Sequence, residues 1–504
     1  MANFDPAPKL SKSKYVAGCQ CLKRLYLQIH EPELAGGPDE AKQAIFDQGH
    51  EVGILATRAF PYGIQVDEDH LNHQKAMERT QALLGDNNVS AIFEAAFIFD
   101  GVRVRVDILE RKTKDRWRMI EVKSTRKLKD EHYQDVAIQK YVLEGCGLKL
   151  SEACLMHLNR DYIYDGSVYD LQRLFTTNNL AEDIEELMEE IPDQVAEQHR
   201  ILTLSAPPEV EPGDRCTIPY DCEFFNICNP EVPDHWVGNL PGIRKQVIKT
   251  LLAQGIVLIQ DIPEDFGLNN LQRQVCICVQ KDEPYFGKEL TNAIKKLKYP
   301  LYFMDFETYN PAIPRYAGMR PFDQIPFQWS VHVQRQPGDD LEHYEYLAED
   351  ANDPREDFIK SLLGVLEDSG GKGHIVVFYA SFETGRLNDL AGWLPQYAPR
   401  IKEVKARLWD LHPIVKNHVY HPKFYGSFSL KDVLPALVPH MTYEGMEIAE
   451  GNQAARAYDA MIRGGLSDNE IEKLRKALLE YCGQDTLAMV ELIKVLQKEA
   501  KPQS

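Results

Sequence analysis

Two neighbouring segments alternate apolar and polar side chains at every second position. The first runs from Val102 to Leu109, the second runs from Trp117 to Lys123, and the polar stretch 111–116 separates them. Alternation of period two is typical of a strand that buries one face, and a short polar connection favours antiparallel pairing. The sequence therefore predicts a β-hairpin in this region, and this excludes an all-helical fold.

Three charged residues on these strands are predicted to meet at one point. Asp107 ends the first strand, while Glu121 and Lys123 lie two positions apart on the second and so share a face. Two carboxylates this close resist ionising together unless a cation lies between them. Their oxygen ligands suit Mg²⁺ or Mn²⁺, and the lysine would orient water or steady the phosphoryl oxygens. A surface strand with a charge pair is the alternative interpretation.

This charged set resembles the RecB-like branch of the PD-(D/E)XK nucleases, which implies a restriction-endonuclease-like α/β fold. The segment 48–53 is similar to the first motif of that family. The resemblance implies that His50 is a metal ligand beside Asp107 and Glu121, and that Lys123 is catalytic.

The helix that follows departs from the Gln-x-x-x-Tyr motif usual in that family. Asp135 and Gln139 are four positions apart in this chain, so they lie on one helical face, but neither has the expected identity. Because of its position on that face, Gln139 is still predicted to touch the substrate or a catalytic partner.

Three cysteines follow at regular intervals, with five residues between each pair. Cys216, Cys222 and Cys228 suggest a site for a soft metal, which needs four ligands. Cys21 is the best candidate for the fourth ligand, and Cys19 is its rival. The number of thiols alone leaves zinc and an iron–sulfur cluster open.

The cysteine segments resemble the four-cysteine motif of the CRISPR-associated and AddB-type nucleases. In that family four thiolates hold a [4Fe–4S] cluster. The resemblance therefore implies that Cys21, Cys216, Cys222 and Cys228 bind such a cluster, with zinc as the alternative, and it spans roughly residues 9–230.

Charge and hydropathy exclude several classes of protein. The chain has 57 basic and 77 acidic residues, a net charge of −20, which argues against a protein that coats nucleic acid over its whole surface. Basic residues are nevertheless concentrated over 103–129, as a nuclease groove would require, although charge alone favours a solvated hairpin. No apolar run reaches the ~18 residues of a membrane span. Met1–Leu10 lacks a secretory pattern, which favours the cytoplasm.

Further acidic residues form a second constellation towards the C-terminus. Asp305 and Glu307 flank Phe306 in an apolar strand, so both acids face one side. Tyr481 and Asp485 are four positions apart in a helical pattern that begins at Ser467, and therefore share a face. Buried carboxylates at a strand are unfavourable without a cation.

These motifs resemble those of the DnaQ-like DEDD exonucleases, which have an RNase H-like fold. The match of Tyr481 and Asp485 to the third motif implies the tyrosine subclass. By this resemblance Asp305 bridges two Mg²⁺ or Mn²⁺ ions, Glu307 and Asp485 complete the ligands, and Tyr481 orients the nucleophilic water. Cleavage in this family releases nucleotides from a 3′ end.

The second motif of that family is altered in this chain. Glu383 occupies the position of the usual aspartate and is the implied fourth ligand, while the usual asparagine is replaced by Tyr379. An extra methylene shifts a ligand by about 1 Å, which can reduce a rate roughly 100-fold. Asp410 is an alternative carboxylate, and a capping role is at least as compatible with its position.

Changes of composition predict three parts. Residues 1–230 form the first nuclease domain, 231–298 a helical connector and 299–504 an α/β exonuclease domain. The connector has some likeness to a helix-hairpin-helix element, with a packing linker as the alternative. The pairing resembles a bacterial family with the same fusion.

The whole chain is therefore predicted to be a DNA nuclease with two active sites. The expected substrate is single-stranded DNA or DNA ends, in repair, recombination or defence, without a membrane partner. The alternatives are an RNA exonuclease and a non-catalytic nucleic-acid-binding scaffold in which one or both sites are inactive.

Overall fold

The chain forms two compact units. The computed structural model describes residues 10–36, 40–69, 72–229, 232–368 and 372–500. The first unit comprises Met1–Glu231 with Pro311–Asp323, and the second comprises Val232–Asn310 with Gln324–Ser504. The region predicted as a separate connector therefore lies within the second unit. Residues 1–9, where the sequence has no secretory pattern, lie outside the described residues.

The first unit combines helices and strands of very different lengths. In chain order its elements are β1 (Leu10–Ser11), α1 (Lys12–Gln20), α2 (Leu22–His30), α3 (Glu40–Thr57), β2 (Ile64–Gln65), α4 (His73–Gly85), β3 (Ala91–Phe99), β4 (Val102–Arg111), β5 (Trp117–Lys123), α5 (Asp130–Gly145), β6 (Leu150–Leu158), α6 (Leu171–Leu174), β7 (Phe175–Asn179), α7 (Glu185–Leu202) and α8 (Phe225–Cys228).

The predicted hairpin forms the centre of a seven-stranded sheet. The strand order is β2-β3-β4-β5-β6-β7, and β1 pairs with β4. β4 and β5 are antiparallel, with Ile108 opposite Ile120, which confirms the hairpin. β5 and β6 are parallel and α5 connects them, as a parallel pair requires. Apolar side chains of the sheet are buried in two clusters, one that includes Val104 and Val106 and another that includes Ile108 and Ile120.

The second unit begins with helices and then alternates strands with helices. Its elements are α9 (Lys245–Ala253), α10 (Asn270–Lys281), β8 (Tyr285–Phe286), α11 (Leu290–Ile294), β9 (Leu301–Tyr309), β10 (Ile325–Gln334), β11 (Glu342–Leu347), α12 (Arg355–Asp368), β12 (Ile375–Val377), α13 (Ala380–Trp393), α14 (Ala398–Lys405), β13 (Leu408–Asp410), α15 (Leu411–His418), β14 (Val419–Tyr420), α16 (Leu430–Leu437), α17 (Gly451–Arg463) and α18 (Asp468–Glu499).

A five-stranded mixed sheet organises this unit, in the order β11-β10-β9-β12-β13. β10 is antiparallel to both of its neighbours, whereas β12 is parallel to β9 and to β13. Every residue of β10 is buried, because α12 and α18 pack against it. The mixed α/β class predicted for this region is confirmed.

The longest described helix, α18, carries two of the predicted site residues. Its N-terminus is fixed by a capping box, in which Ser467 Oγ accepts from the Glu470 N–H and the Glu470 carboxylate accepts from the Ser467 N–H. The helix predicted from Ser467 onwards is thereby confirmed. None of the helices in the described part of the chain combines the length and apolar composition that a membrane span requires.

The region between the predicted domains contains two similar turn-and-helix segments. A 3₁₀ turn at Val237–Asn239 precedes α9, and another at Ile259–Asp261 precedes α10. The two segments are joined by an antiparallel bridge between Trp236 and Leu258. The helix-hairpin-helix interpretation remains a prediction.

Candidate functional site

Three carboxylates converge in the second unit. Asp305 and Glu307 lie on β9, and Asp485 lies on α18, which packs against that strand. One ligand oxygen from each residue lies within 4.8 Å of the other two. Phe306 is only 2% exposed, so the alternation of the strand directs the two acids on either side of it away from the apolar core. The structure thus brings together residues that are 180 positions apart in the sequence.

Burial and mutual repulsion alter the acidity of these carboxyl groups. Burial first, and then the charge of Asp485, raise the pKa of Asp305 well above its usual range. Burial and then Asp305 do the same to the pKa of Glu307, and burial raises the pKa of Asp485 to about 6. Three such groups ionise together only beside a compensating positive charge. Their hard oxygen donors fit Mg²⁺ or Mn²⁺.

Glu383 approaches the same carboxylates from α13. Its side chain is 1% exposed, and its Oε2 has no hydrogen-bond partner among the described residues. Burial and then the charge of Asp305 raise the pKa of Glu383 to about 9. A buried, unpartnered carboxylate oxygen within electrostatic range of Asp305 fits a further oxygen ligand for a cation.

Two residues that were not predicted from the sequence surround the C-terminal aspartate of this group. Tyr443 donates its hydroxyl hydrogen to Oδ1 of Asp485, and its ring lies edge-on to that of Tyr481 with 6.3 Å between the centroids. Lys431, on α16, holds its ammonium 5.3 Å from the Tyr481 ring and 5.6 Å from the Tyr443 ring. Neither residue belongs to a sequence motif with a recognisable spacing, so the sequence alone could not have identified them.

Asp410 has a capping role in this structure. Its carboxylate accepts from the backbone N–H groups of Tyr379 and Ala380, at the start of α13, at 3.1 and 3.0 Å. It also accepts from the N–H of His412 at 3.1 Å and so caps α15. The aspartate fixes the start of the helix that carries Glu383, rather than joining the three converging carboxylates.

In the first unit, the residues of the predicted nuclease motif form a connected charged network. Asp107 Oδ2 accepts from the Val122 N–H at 2.6 Å. Lys123 contacts Oε1 of Glu121 at 2.9 Å and Oδ2 of Asp135 at 2.5 Å. The pairing of β4 with β5 therefore brings the two predicted carboxylates and the lysine into one cluster.

Two further side chains complete this network. Gln139 donates its amide to Oε2 of Glu121 at 2.7 Å and to the Asp135 carbonyl at 3.0 Å, while its own Oε1 is buried without a partner among the described residues. Lys12, at the start of α1, contacts Oε1 of Glu121 at 2.5 Å. The contact of Lys12 spans 109 positions, so no local pattern could have predicted it.

The pKa values of Asp107 and Glu121 are shifted in opposite directions. Burial and then the charge of Glu121 raise the pKa of Asp107 to about 8. Burial alone would also raise the pKa of Glu121, but the ammonium groups of Lys12 and Lys123 outweigh it and lower that pKa. His50 is exposed on α3, and within the described ranges it does not join Asp107 and Glu121 in a group of ligand atoms closer than 4.8 Å.

The predicted cysteine ligands line one small cavity in the first unit. Cys21, Cys216, Cys222 and Cys228 all border it. The segment that carries the last three is held against α1, because the Gln20 amide donates to the carbonyls of Arg215 and Tyr220 at 2.6 and 2.7 Å.

Cys19, the rival of Cys21, has different surroundings. Its sulfur contacts the amide groups of Gln194 and Gln198 on α7, at 3.5 Å in both cases, and it packs against the main apolar cluster of the first unit. Cys21 is therefore the N-terminal cysteine that faces the other three.

Comparison with known proteins gives relatives whose names state no activity. A family model described as a domain of unknown function (DUF2779) matches residues 302–429. The chain is 26% identical over 226 residues to the uncharacterized protein MG366 of Mycoplasma genitalium, which covers 42% of this chain and 34% of the relative. It is 24% identical over 275 residues to the uncharacterized protein UU173 of Ureaplasma parvum, which covers 47% and 39% respectively. The chain thus spans less than two fifths of the length of these relatives. No solved structure matches it.

Proposed function

We propose that the chain is a metal-dependent nuclease with two catalytic centres, which degrades DNA from ends or single-stranded regions. The observation that carries the proposal is the group of Asp305, Glu307 and Asp485, whose ligand oxygens lie within 4.8 Å of one another while burial raises the pKa of each carboxyl. Buried acids at such distances favour the binding of a divalent cation. The resemblance to DnaQ-like exonucleases with an RNase H-like fold supports release of nucleotides from a 3′ end.

In this second centre the residues have distinct tasks. Mg²⁺ or Mn²⁺ held by the three carboxylates and Glu383 would lower the pKa of the attacking water and neutralise charge on the phosphate. Tyr481 stays protonated, because burial and then Asp485 raise its pKa far above neutrality, so its hydroxyl donates a hydrogen bond that orients the water. Tyr443 holds Asp485 in position. Lys431 brings a positive charge that attracts the phosphodiester.

The first centre is proposed to be a PD-(D/E)XK nuclease site on a restriction-endonuclease-like domain. Asp107 and Glu121 supply carboxylate oxygens for Mg²⁺ or Mn²⁺, and Lys123 steadies the phosphoryl oxygens. Gln139 fixes the orientation of Glu121 through its 2.7 Å hydrogen bond.

The four cysteines that border one cavity are proposed to hold a [4Fe–4S] cluster. Their thiolate donors suit iron–sulfur ligation, and the resemblance to the AddB-type motif favours iron over zinc. Protein purified without oxygen should be brown and contain iron and sulfide. Colourless protein with stoichiometric zinc would refute the iron assignment.

The nuclease proposal is tested with end-labelled single-stranded DNA in Mg²⁺ or Mn²⁺. Wild-type protein should degrade it, Asp107→Ala and Asp305→Ala should each retain part of the activity, and the double variant should retain none. Degradation that is indifferent to both changes would remove the assignment. A matched RNA substrate, cleaved faster than DNA, would assign the protein to RNA instead, and a chain that binds either polymer without cleaving it would be a scaffold.

A further inference from the structure

The buried carboxylate of the first centre is covered by two lysines. Lys12 and Lys123 both contact Oε1 of Glu121, at 2.5 and 2.9 Å. The side chain of Glu121 is 2% exposed, whereas those of Lys12 and Lys123 are 22% and 25% exposed. The two ammonium groups are therefore the parts of this contact that a ligand arriving from solvent reaches first.

The two lysines are not held equally. Lys123 also contacts Oδ2 of Asp135 at 2.5 Å, so it keeps one carboxylate if it loses the other. Glu121 is the only ion-pair partner of Lys12 in the described part of the chain. A lysine carries its charge at the end of a flexible four-carbon stem, so it can change partners without a shift of the backbone. Lys12 is therefore the ammonium that leaves more readily.

The backbone on either side of Lys12 is anchored. Strand β1 directly precedes it and pairs with β4 through Leu10 and Ser11. Ser11 also caps α1, because its Oγ accepts from the Lys14 N–H at 3.3 Å. The ammonium of Lys12 consequently stays beside the centre when it gives up Glu121.

The carboxylate of Glu121 has little room for a further positive charge. Three of its roughly four acceptor positions are taken, two by the lysines and one by the Gln139 amide. A divalent cation held by this carboxylate and Asp107 meets the ammonium of Lys12 at short range, and like charges repel. A phosphodiester brings negative charge to the same place and offers the displaced ammonium a charged acceptor.

We propose that Lys12 is a phosphate-binding residue of the first centre, whose ammonium exchanges Glu121 for a phosphate of the DNA strand when a divalent cation binds that carboxylate. The inference rests on the proposed nuclease function and deepens it, because the centre then holds its substrate through Lys12 as well as Lys123. A contact to phosphate carries no sequence preference.

Binding of a fluorescein-labelled oligodeoxythymidylate to the full chain is measured by anisotropy, once in Ca²⁺, which also takes carboxylate oxygens, and once in EDTA. All variants carry Asp305→Ala, and gel electrophoresis shows that the strand stays intact. Lys12→Met should weaken binding in Ca²⁺ about tenfold and reduce the slope of log K against log salt concentration by about 0.7, because one phosphate contact is lost. In EDTA it should bind like the Asp305→Ala parent, since Lys12 then remains with Glu121.

Three further variants complete the comparison. Lys12→Arg keeps the charge and should bind like the parent in both conditions. Lys12→Gln keeps a donor for Glu121 without the charge, so it should show the same loss in Ca²⁺ and replaces the methionine variant if thermal unfolding shows that variant to be unfolded. Lys75→Met, at an exposed lysine on α4 of the same unit, is the matched control and should change nothing.

Equal affinity of the parent and the uncharged Lys12 variants in Ca²⁺ would overturn the proposal. Equal weakening in Ca²⁺ and in EDTA would overturn the exchange of partners, since the effect would not depend on a cation. Wild-type protein that binds the strand through Lys12 in Ca²⁺ but never cleaves it in Mg²⁺ or Mn²⁺ would refute the nuclease function alone.

Discussion

Single residues give the two centres different charge balances. In the first centre Lys12 and Lys123 both contact Glu121, so much of the negative charge is already compensated by ammonium groups. In the second centre three carboxylates converge, and the positive charge of Lys431 acts on each of them. Excess negative charge is what attracts a divalent ion. We therefore expect the second centre to bind Mn²⁺ more tightly than the first.

Removing Lys431 should separate metal affinity from catalysis. Lys431→Met deletes a positive charge that repels a cation and attracts a phosphate, so Mn²⁺ should bind about fivefold more tightly while cleavage slows. Calorimetric titration with Mn²⁺ and the rate of the Asp305-dependent cleavage measure the two effects. Lys360→Met, at an exposed lysine on α12, is the control. A fall in both quantities would mean that the lysine acts only by supporting the fold.

The pKa of Glu383 predicts a pH-dependent stability of the metal-free protein. Burial and then Asp305 raise this pKa from 4.5 to about 9, so the folded chain holds the proton more tightly than the unfolded chain. The resulting stabilisation is complete below pH 4.5 and is lost as the pH rises towards 9. Glu383→Gln cannot ionise, so it should raise the free energy of unfolding by about 3 kcal/mol more at pH 8 than at pH 5.5.

Urea unfolding in EDTA at these two pH values measures the difference. The control, Glu472→Gln, changes an exposed glutamate on α18. It should change the free energy of unfolding by the same amount at both pH values. An increment for Glu383→Gln that does not depend on pH would contradict the assignment of a buried, protonated carboxyl.

At the scale of elements, the start of α13 decides where Glu383 points. Tyr379 adopts a left-handed conformation, with φ at 77°, directly before this helix, and Asp410 binds its N–H and that of Ala380. A bulky residue in this conformation is strained and persists where its surroundings hold it. The carboxylate of Asp410 thus supports the strained turn that positions a proposed ligand.

Substitution of Asp410 distinguishes a cap from a ligand. Asp410→Ala removes the acceptor for three N–H groups and should destabilise the second unit by about 1–2 kcal/mol, whereas Asp410→Asn keeps one acceptor oxygen and should cost less. Thermal unfolding measures the stability, and Asp305-dependent cleavage should survive in the asparagine variant. Loss of cleavage equal to that of Asp305→Ala would make Asp410 a metal ligand.

Elements with a strong local pattern could be predicted from the sequence, and contacts between distant elements could not. Period-two alternation predicted β4 and β5, and the Ser467 capping pattern predicted α18, because both signals are local. Lys12 and Tyr443 reach their centres from a helix start and from an irregular loop, positions that carry no periodic signal. Their contacts are set by tertiary packing.

At the scale of the whole molecule, each unit has apolar clusters of its own among the described residues. Two apolar clusters of the first unit are formed around its seven-stranded sheet, and one of them includes Ala312, from the segment between β9 and β10. The cluster around the five-stranded sheet draws its residues from the second unit alone. The boundaries inferred from composition placed residues 311–323 in the exonuclease part, whereas the structure places them in the first unit. The composition of such a short segment does not differ enough from its surroundings to reveal this.

Because each unit has apolar clusters of its own, loss of the proposed cysteine centre should affect one activity and spare the other. Cys222→Ser removes one ligand of the proposed cluster, which would tie the segment near α8 to the N-terminal helices. The first unit should therefore unfold at a lower temperature and Asp107-dependent cleavage should fall. Asp305-dependent cleavage should remain, because β9 and α18 lie in the second unit. Calorimetry and the two cleavage assays measure this, with Cys146→Ser, at an exposed thiol, as control. Loss of both activities in Cys222→Ser would show that the two centres depend on each other.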